Sequence, residues 1–507
     1  MVVTSVGATE NSPVADNVPV VPLILRGQVI FDDLKTFNGR GASTFRTPDL
    51  QQHLNRLPLP HVDGLADLQA LSTREIVDFL AELGTYLDIN NNVYLQRARH
   101  LSYDAAPTTP PIIDEEYRLL TASFGREVLQ EVLGDEAPYL DGWIPRTLAT
   151  GQIVRTRAFG ARAVHVIAGN SPLISALTII RSALTRSDSI IKSPSNDPYT
   201  AAALVQTMCD VAPDHPVTRH ISVAYWKGGD DQLEERIYHP SNVEKVLAWG
   251  GMTSVRHVTK YVQPGLELIS FDPKRSCSVI GPAAFCDPET LVDAAHRLAL
   301  DIGQLNQVGC VNARLVYVMS GTDDDGIAKA NTLGQLTYSA MLALPPHLST
   351  TPKTFDAELK AELEAIRPLG EWYRVIGGER GEGAIVISQL PEPVGFAAIL
   401  NCRVANFVPV DDIGDIMRYM DAYTQTVGVY PEALKEDFRD TLPLVGVQRL
   451  VTLGFACAGS YGTAQDGMEP VRRMLRWIVD EDSTGLPVAV EPTDRSIDVD
   501  AESAVQS

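Results

Sequence analysis

The chain has 507 residues, 45% of them hydrophobic and 21% charged, and a formal net charge of −22. That length exceeds what one hydrophobic core usually holds, so two or more domains of a soluble globular protein are expected. The acidity opposes nucleic acid and anionic membranes, no apolar run is long enough for a membrane span, and an anionic cofactor needs only a local positive patch.

The start, MVVTSVGATENSPVADN, lacks a basic segment followed by an apolar one and is not a signal peptide. Six cysteines (Cys209, Cys277, Cys286, Cys310, Cys402, Cys457) have no C-x-x-C spacing. That argues against a disulfide framework or a structural zinc site, and a reducing cytoplasm is the simplest location.

Residues 1–20 and 482–507 are rich in Pro, Ser, Thr, Asp and Glu and are expected to be mobile. Residues 21–150 predict a helical N-terminal region without a catalytic cluster. One helix is expected over Leu71–Leu83, with a Ser72–Glu75 capping box and Ile76, Phe79, Leu80 and Leu83 on one face. A second is expected over Asp114–Leu133. In residues 151–281 the pattern changes. The runs RAVHVI, SIIK, ISVAYW and VLAW alternate with helical LISALTIIRSAL and PYTAAALVQTMCDV, and LELISF and CSVIG are further β runs. This predicts a parallel sheet with helices on both faces and ligands at the carboxyl ends of its strands. Asn170, Lys192 and Gly250-Gly251 fall at such ends.

A second α/β pattern spans residues 282–481. It has a helix through Leu291, Ala294, Ala295 and Leu298, the strands RLVYVM, AIVIS, NFVPV and RLVTLGF, the glycine-bearing loop GSYGTAQDG and a last helix MEPVRRMLRWIV. No fixed-period repeat, helix-opening G-x-G-x-x-G or Walker A sequence occurs, so a nucleotide must be held another way.

Between the helix and RLVYVM lies GQLNQVGCVNA, with Cys310 in a polar turn. A lone cysteine is most often an inert buried thiol. Here the position suits an exposed, activated one. Asn170 alone is better explained as a helix-capping turn residue, and Lys192 alone as a solvated strand end. His165 alternates with apolar neighbours and is expected to be a core residue. His239, His257 and His296 have no metal-ligand spacing. Asp323-Asp324-Asp325 is expected to be a solvated loop.

Taken in order, AGNSP, IIKSPSNDP, VLAWGG and NQVGCVNARLVYV resemble segments of the aldehyde dehydrogenase superfamily. With DGMEPVRRMLRWI, they are most similar to its acyl-CoA reductase branch, the reductase subunit of the bacterial fatty acid reductase complex of bioluminescence. The resemblance implies a Rossmann-type cofactor domain, an α/β catalytic domain and a homo-oligomer. It implies Cys310 as nucleophile and Asn170 as oxyanion donor. Lys192 and Ser195 would lie at the cofactor ribose, with Trp249, Gly250 and Gly251 under the nicotinamide.

Two departures from the family pattern matter. NAD-preferring relatives carry a Glu three residues after the lysine. Ser195 stands there instead, and a hydroxyl does not repel a 2′-phosphate, so NADPH is expected over NADH. Hydrolytic relatives activate water with the Glu of Glu-Leu-Gly-Gly-Lys. In LELISFDPKRS, alignment on Lys274 puts Ser270 at that position, whereas alignment on Leu266-Glu267-Leu268 retains Glu267. The first register is preferred. A thiolate is both nucleophile and leaving group. Without a water-activating base, the resemblance then implies NADPH-dependent reduction of an acyl thioester to an aldehyde. The acyl group would come from acyl-CoA, or from an acyl-adenylate through an AMP-forming acyl-protein synthetase partner. The alternatives are an aldehyde dehydrogenase with Glu267 as base and a non-catalytic scaffold of an acid reductase complex.

Overall fold

The computed structural model describes residues 18–40, 43–59 and 61–484. The ends expected to be mobile lie outside these residues, apart from a few flanking positions. The described residues open with two hairpins, in a region expected to be mostly helical. Strands β1 (Leu23–Leu25) and β2 (Gln28–Ile30) turn at Arg26-Gly27, with φ of 52° and 81°. Such a left-handed two-residue turn matches the twist of paired strands. Strands β3 (Leu34–Asn38) and β4 (Thr44–Pro48) set Phe37 opposite Phe45. These strands are too short for periodicity to announce them.

Helix Thr73–Tyr86 carries the expected Ser72–Glu75 capping box and buries Ile76, Phe79, Leu80 and Leu83. The expected helix over Asp114–Leu133 is instead two, Pro110–Ser123 and Arg126–Leu133. Gly125, in extended backbone, opens the second. The break lets Phe124 bury against Gly84 of the earlier helix, where an added Cβ would lie 2.8 Å from Phe124 Cβ.

Strands β5 (Ile144–Thr147) and β6 (Ile153–Phe159) lead into β7 (Arg162–Val166), β8 (Asp188–Lys192), β9 (Ile221–Ala224), β10 (Lys245–Trp249) and β11 (Glu267–Phe271). The last five are parallel, in a sheet ordered β11-β10-β7-β8-β9-β1-β2. The N-terminal hairpin therefore extends the cofactor-type sheet by two antiparallel strands. Chain order reverses between β7 and β10, which is where an open α/β sheet forms its crevice.

The second sheet is built from β12 (Arg275–Ile280), β13 (Ala313–Val318), β14 (Tyr373–Gly377), β15 (Ala384–Ser388), β16 (Val404–Pro409), β17 (Thr424–Tyr430) and β18 (Arg449–Thr452). Its order is β14-β15-β16-β13-β12-β17-β18. β12 pairs with β13 and β17 near its centre, so the chain changes sheets at Asp272–Lys274 and not at residue 281. Helices Pro288–Gly303 and Asp324–Leu342 contribute to the core over this sheet. Asp323, expected in a solvated loop, caps the second helix by accepting from Gly326 N–H at 2.8 Å.

The expected last helix is a single turn, Pro470–Met474, followed by strand β19 (Arg476–Asp482). β19 pairs antiparallel with all of β6, in a three-stranded sheet ordered β19-β6-β5. The β-forming run Trp-Ile-Val gains a full ladder there, and Trp477 packs edge-on to Tyr139 at 5.3 Å. No helix among the described residues is long and apolar enough to cross a membrane.

Candidate active site

The carboxyl ends of β7, β8, β10 and β11 face the amino-terminal end of the second sheet across a cavity of about 640 Å³. Asn170, Lys192, Ser195, Trp249, Gly250, Gly251 and Cys310 all line it. The seven residues singled out from sequence are thus brought together from three strand ends and one loop.

The nucleophile loop is held by side chains, not by regular structure. Leu305, Asn306 and Gln307 have φ of 55°, 52° and 65°, a left-handed run that non-glycine residues adopt at a cost of roughly 1–3 kcal/mol each. Buried amides hold it in place. Asn306 Oδ1 accepts from Thr350 N–H at 2.8 Å. Gln307 donates to Ala313 O at 2.8 Å and Val404 O at 3.0 Å, and accepts from Val404 N–H at 2.9 Å. Asn312 Oδ1 accepts from Gly309 N–H at 3.0 Å. Ser276 Oγ–H donates to Cys310 O at 2.7 Å, and Arg314 bonds the carbonyls of Asn312 and Leu400, each at 3.0 Å.

Cys310 is half-buried at the cavity wall. Burial, then the Asp466 carboxylate, hold its thiol above the ordinary range, while the Gln425 amide and Arg314 pull it partly back. Burial and Asp466 thus work against the activated thiol expected from sequence.

Asn170 is not the helix cap. Ser171 caps Pro172–Leu184, accepting from Leu173 N–H at 3.3 Å. That frees the Asn170 amide to cross between the sheets, where Nδ2 donates to Val308 O at 3.3 Å, two residues before Cys310. Lys192 is no solvated strand end. Its ammonium lies over the rings of Trp226 at 5.3 Å and Tyr225 at 5.9 Å, and burial depresses its pKa to about 8. The two glycines differ. Gly250 has φ 148°, which favours glycine, whereas a Cβ on Gly251 would meet nothing within 4 Å. Trp249 stacks on Phe271 at 4.0 Å.

These features fit a dinucleotide. The crevice lies at the strand-order switch, Lys192 makes no ion pair among the described residues, and the floor turns on glycine. His165, by contrast, is 1% exposed, lies 3.2 Å from Ser182 Oγ and from Ser189 Oγ, and is held neutral by burial at a pKa of about 3. It is the core residue its strand pattern predicts. The described residues contain no His/Cys/Asp/Glu cluster able to hold a metal.

The profile of the acyl-CoA reductase (LuxC) family matches residues 68–477. The chain belongs to that family. It is 32% identical over 362 residues to the long-chain acyl-protein thioester reductase of Photorhabdus luminescens, covering 69% of this chain and 70% of that one. With the enzyme of the same name from Vibrio harveyi the identity is 26% over 474 residues, covering 91% and 93%. In fold the chain matches aldehyde dehydrogenase 21 of Physcomitrella patens (TM-score 0.71, 11% identity, 93% and 100% covered). It also matches an NADP-dependent glyceraldehyde-3-phosphate dehydrogenase from Bacillus halodurans complexed with NADP (TM-score 0.68, 11% identity, 91% and 98% covered). The fold is that of the aldehyde dehydrogenases, and family membership makes the chain an aldehyde-forming reductase.

In this reductase neither residue aligned with the hydrolytic Glu, Glu267 or Ser270, lines the thiol cavity. Glu267 opens β11 at the opposite end of the strand, bonds Lys245 Nζ at 2.5 Å and Arg473 at 2.8 Å, and lines a different cavity. Ser270 is paired with Ala248 inside the sheet. The acids that do line the cavity are Asp272 and Asp466, which sequence reasoning did not name. Asp466 has φ 52° and accepts from Gln425 Nε2. Its neighbour Gln465 accepts from the buried Arg181 at 3.0 Å. The only linear sign of Asp466 is an Asp-Gly pair in a glycine-bearing loop, which reads as an ordinary turn.

Proposed function

We propose that this reductase converts an acyl thioester to an aldehyde with NADPH, carrying the acyl group on Cys310. In the first step the Cys310 sulfur attacks the donor carbonyl. The carbon–sulfur bond to the donor breaks, and the thiol proton leaves with the departing thiolate. NADPH, when bound, supplies a hydride to the acyl carbon. The thiohemiacetal oxyanion then collapses, the Cys310–carbon bond breaks, aldehyde departs and the cysteine recovers a proton. The second N–H of the Asn170 amide and the Cys310 backbone N–H, which lies beside its own sulfur, are the oxyanion donors in both steps. Lys192 and Ser195 would hold the adenosine ribose and its 2′-phosphate, and Trp249, Gly250 and Gly251 would form the floor for the nicotinamide.

The observation that carries the reading is Asn170 bridging from β7 to the nucleophile loop in a cavity that Glu267 does not reach. An acyl-enzyme there waits for hydride instead of being hydrolysed. The alternative that used Glu267 to oxidise aldehydes is not supported. The donor is acyl-CoA or an acyl-protein synthetase that delivers an adenylate-derived acyl group.

Incubation with radiolabelled acyl-CoA is the test. Label is expected on Cys310, absent in Cys310→Ala, and discharged as aldehyde by NADPH. Label released as free acid without NADPH would overturn the reading, as would no labelling from any acyl donor.

A further inference from the structure

The cavity has a wall that its sheets do not supply. Asn38, Gly39 and Arg40, at the tip of hairpin β3–β4, line it together with Lys192, Ser195 and Lys227. The hairpin is seated on the cofactor side by aromatic packing. Phe37 and Phe45 meet Tyr225 edge-on at 5.0 and 4.7 Å, and Tyr225 is one of the two rings under the Lys192 ammonium. Its tip is pressed against the loop after β8. Arg40 N–H donates to Ser195 O at 3.4 Å, and an added Cβ on Gly39 would stand 2.7 Å from that same carbonyl. Ser43 Oγ–H donates to Arg40 O at 3.1 Å.

The charges at this end of the cavity are of one sign. Lys192, Lys227 and Arg40 line it, whereas the two lining acids belong to the other end. Asp466 acts on Cys310, and Asp272 lies 3.9 Å from Lys274. Glu234, the carboxylate whose field reaches Lys192, is buried and occupied by Trp226 Nε1 and Gly229 N–H, each at 3.1 Å. In a chain of net charge −22, three cations without an acid among them form a local anion site.

We propose that Arg40 completes the site for the cofactor's 2′-phosphate, so that the N-terminal hairpin determines NADPH specificity. A guanidinium offers a planar pair of N–H donors to phosphate oxygens, which a ribose hydroxyl cannot repay equally. Lys192 and Ser195 face the ribose and its 2′-phosphate from one side, and Arg40 adds the guanidinium that pairs with the phosphate from the hairpin. This rests on the NADPH reading above.

The experiment is steady-state kinetics of Arg40→Gln and Arg40→Lys with NADPH and with NADH, plus calorimetric binding of 2′,5′-ADP and 5′-AMP. Arg40→Gln is expected to raise the NADPH KM about tenfold or more with kcat retained, move the NADH KM less than about twofold, and weaken 2′,5′-ADP but not 5′-AMP. Arg40→Lys restores most of the loss, and Gly39→Ala, which lifts the tip with the guanidinium intact, reproduces it. Lys35→Gln, on the same hairpin outside the cavity, changes neither KM. If the wild type prefers NADPH yet Arg40→Gln leaves that preference intact, or raises both KM values alike, the assignment of Arg40 fails and the cofactor reading stands. If the wild type prefers NADH and does not bind 2′,5′-ADP, both fail.

Discussion

The two ends of the central cavity are built on opposite principles. At the cofactor end, regular strands deliver their last residues to an open crevice, one flexible turn is supplied by Gly250, and the lining charges are cationic. At the nucleophile end, the loop before β13 is irregular, three non-glycine residues are left-handed, and the amides of Asn306, Gln307 and Asn312 tie the loop to itself and to neighbouring segments. There burial raises the thiol pKa, and the one lining acid that acts on it, Asp466, raises it further. The difference separates two tasks. A reversible ligand needs a site that ions and solvent can reach, whereas a covalent acyl carrier needs a fixed sulfur and no water-activating partner.

Asn170 joins the two ends, so its removal breaks the comparison most severely. Asn170→Ala is expected to lower kcat for aldehyde formation by about 10²- to 10³-fold, the usual cost of one oxyanion donor. The NADPH Kd, measured by fluorescence titration, should stay unchanged, because Nδ2 bonds the nucleophile loop and not the crevice. Equal loss of cofactor binding would mean that the two ends are not separable.

The cofactor end is then sharpened by pH. Lys192 has its pKa depressed to about 8 by burial. It is charged below that value and neutral above it, so the attraction it offers a phosphate is present at low pH and fades as pH rises. The NADPH KM is expected to climb several-fold between about pH 7.5 and 9, less for NADH, and to stay flat in Lys192→Arg, whose guanidinium remains charged.

At the nucleophile end the shift has the opposite sign. Burial raises the Cys310 thiol pKa and Asp466 raises it further. Asp466→Asn removes the second contribution. Alkylation of the Cys310 peptide, followed by mass spectrometry, should therefore show its pH midpoint move down, with labelling roughly 3- to 10-fold faster at pH 7. An unchanged midpoint would mean that the carboxylate does not influence the sulfur.

How much of this was legible in the sequence follows the same division. Strands β7 to β11 alternate with helices, and their carboxyl ends are consecutive in sequence with the features they carry. Asn170, Lys192 and Gly250 could therefore be placed from pattern alone, and the family resemblance supplied their roles. Cys310 was visible as a polar turn between periodic elements. What was hidden came from distant segments. Asp466 and Gln425 meet Cys310 only through the order of the second sheet. Arg40 sits on a hairpin whose strands are too short to signal themselves. The run MEPVRRMLRWIV reads locally as one helix, whereas pairing with β6, more than 300 residues earlier, turns the chain from Arg476 into β19.

Glu267 is the finest discriminator, because a local motif kept it in contention as a base while topology removed it. Burial would raise its pKa, but the bonds from Lys245 and Arg473 outweigh that and hold it below the usual carboxylate range. Its stabilisation is thus present above the unfolded-state pKa and lost as pH falls through the depressed folded value. Glu267→Gln should leave reductase kcat and both cofactor KM values within about twofold, because the side chain lines a cavity separate from the thiol. Its visible effect should be on Tm. The variant loses a little stability at neutral pH, at most about 1 kcal/mol because solvent screens the part-exposed pair, and its Tm becomes flatter than the wild type's on the acid side. A base that activates water would behave otherwise. Its removal would cost about 10²-fold or more in hydrolysis of the acyl-enzyme with little change in Tm, and that result would return Glu267 to the thiol.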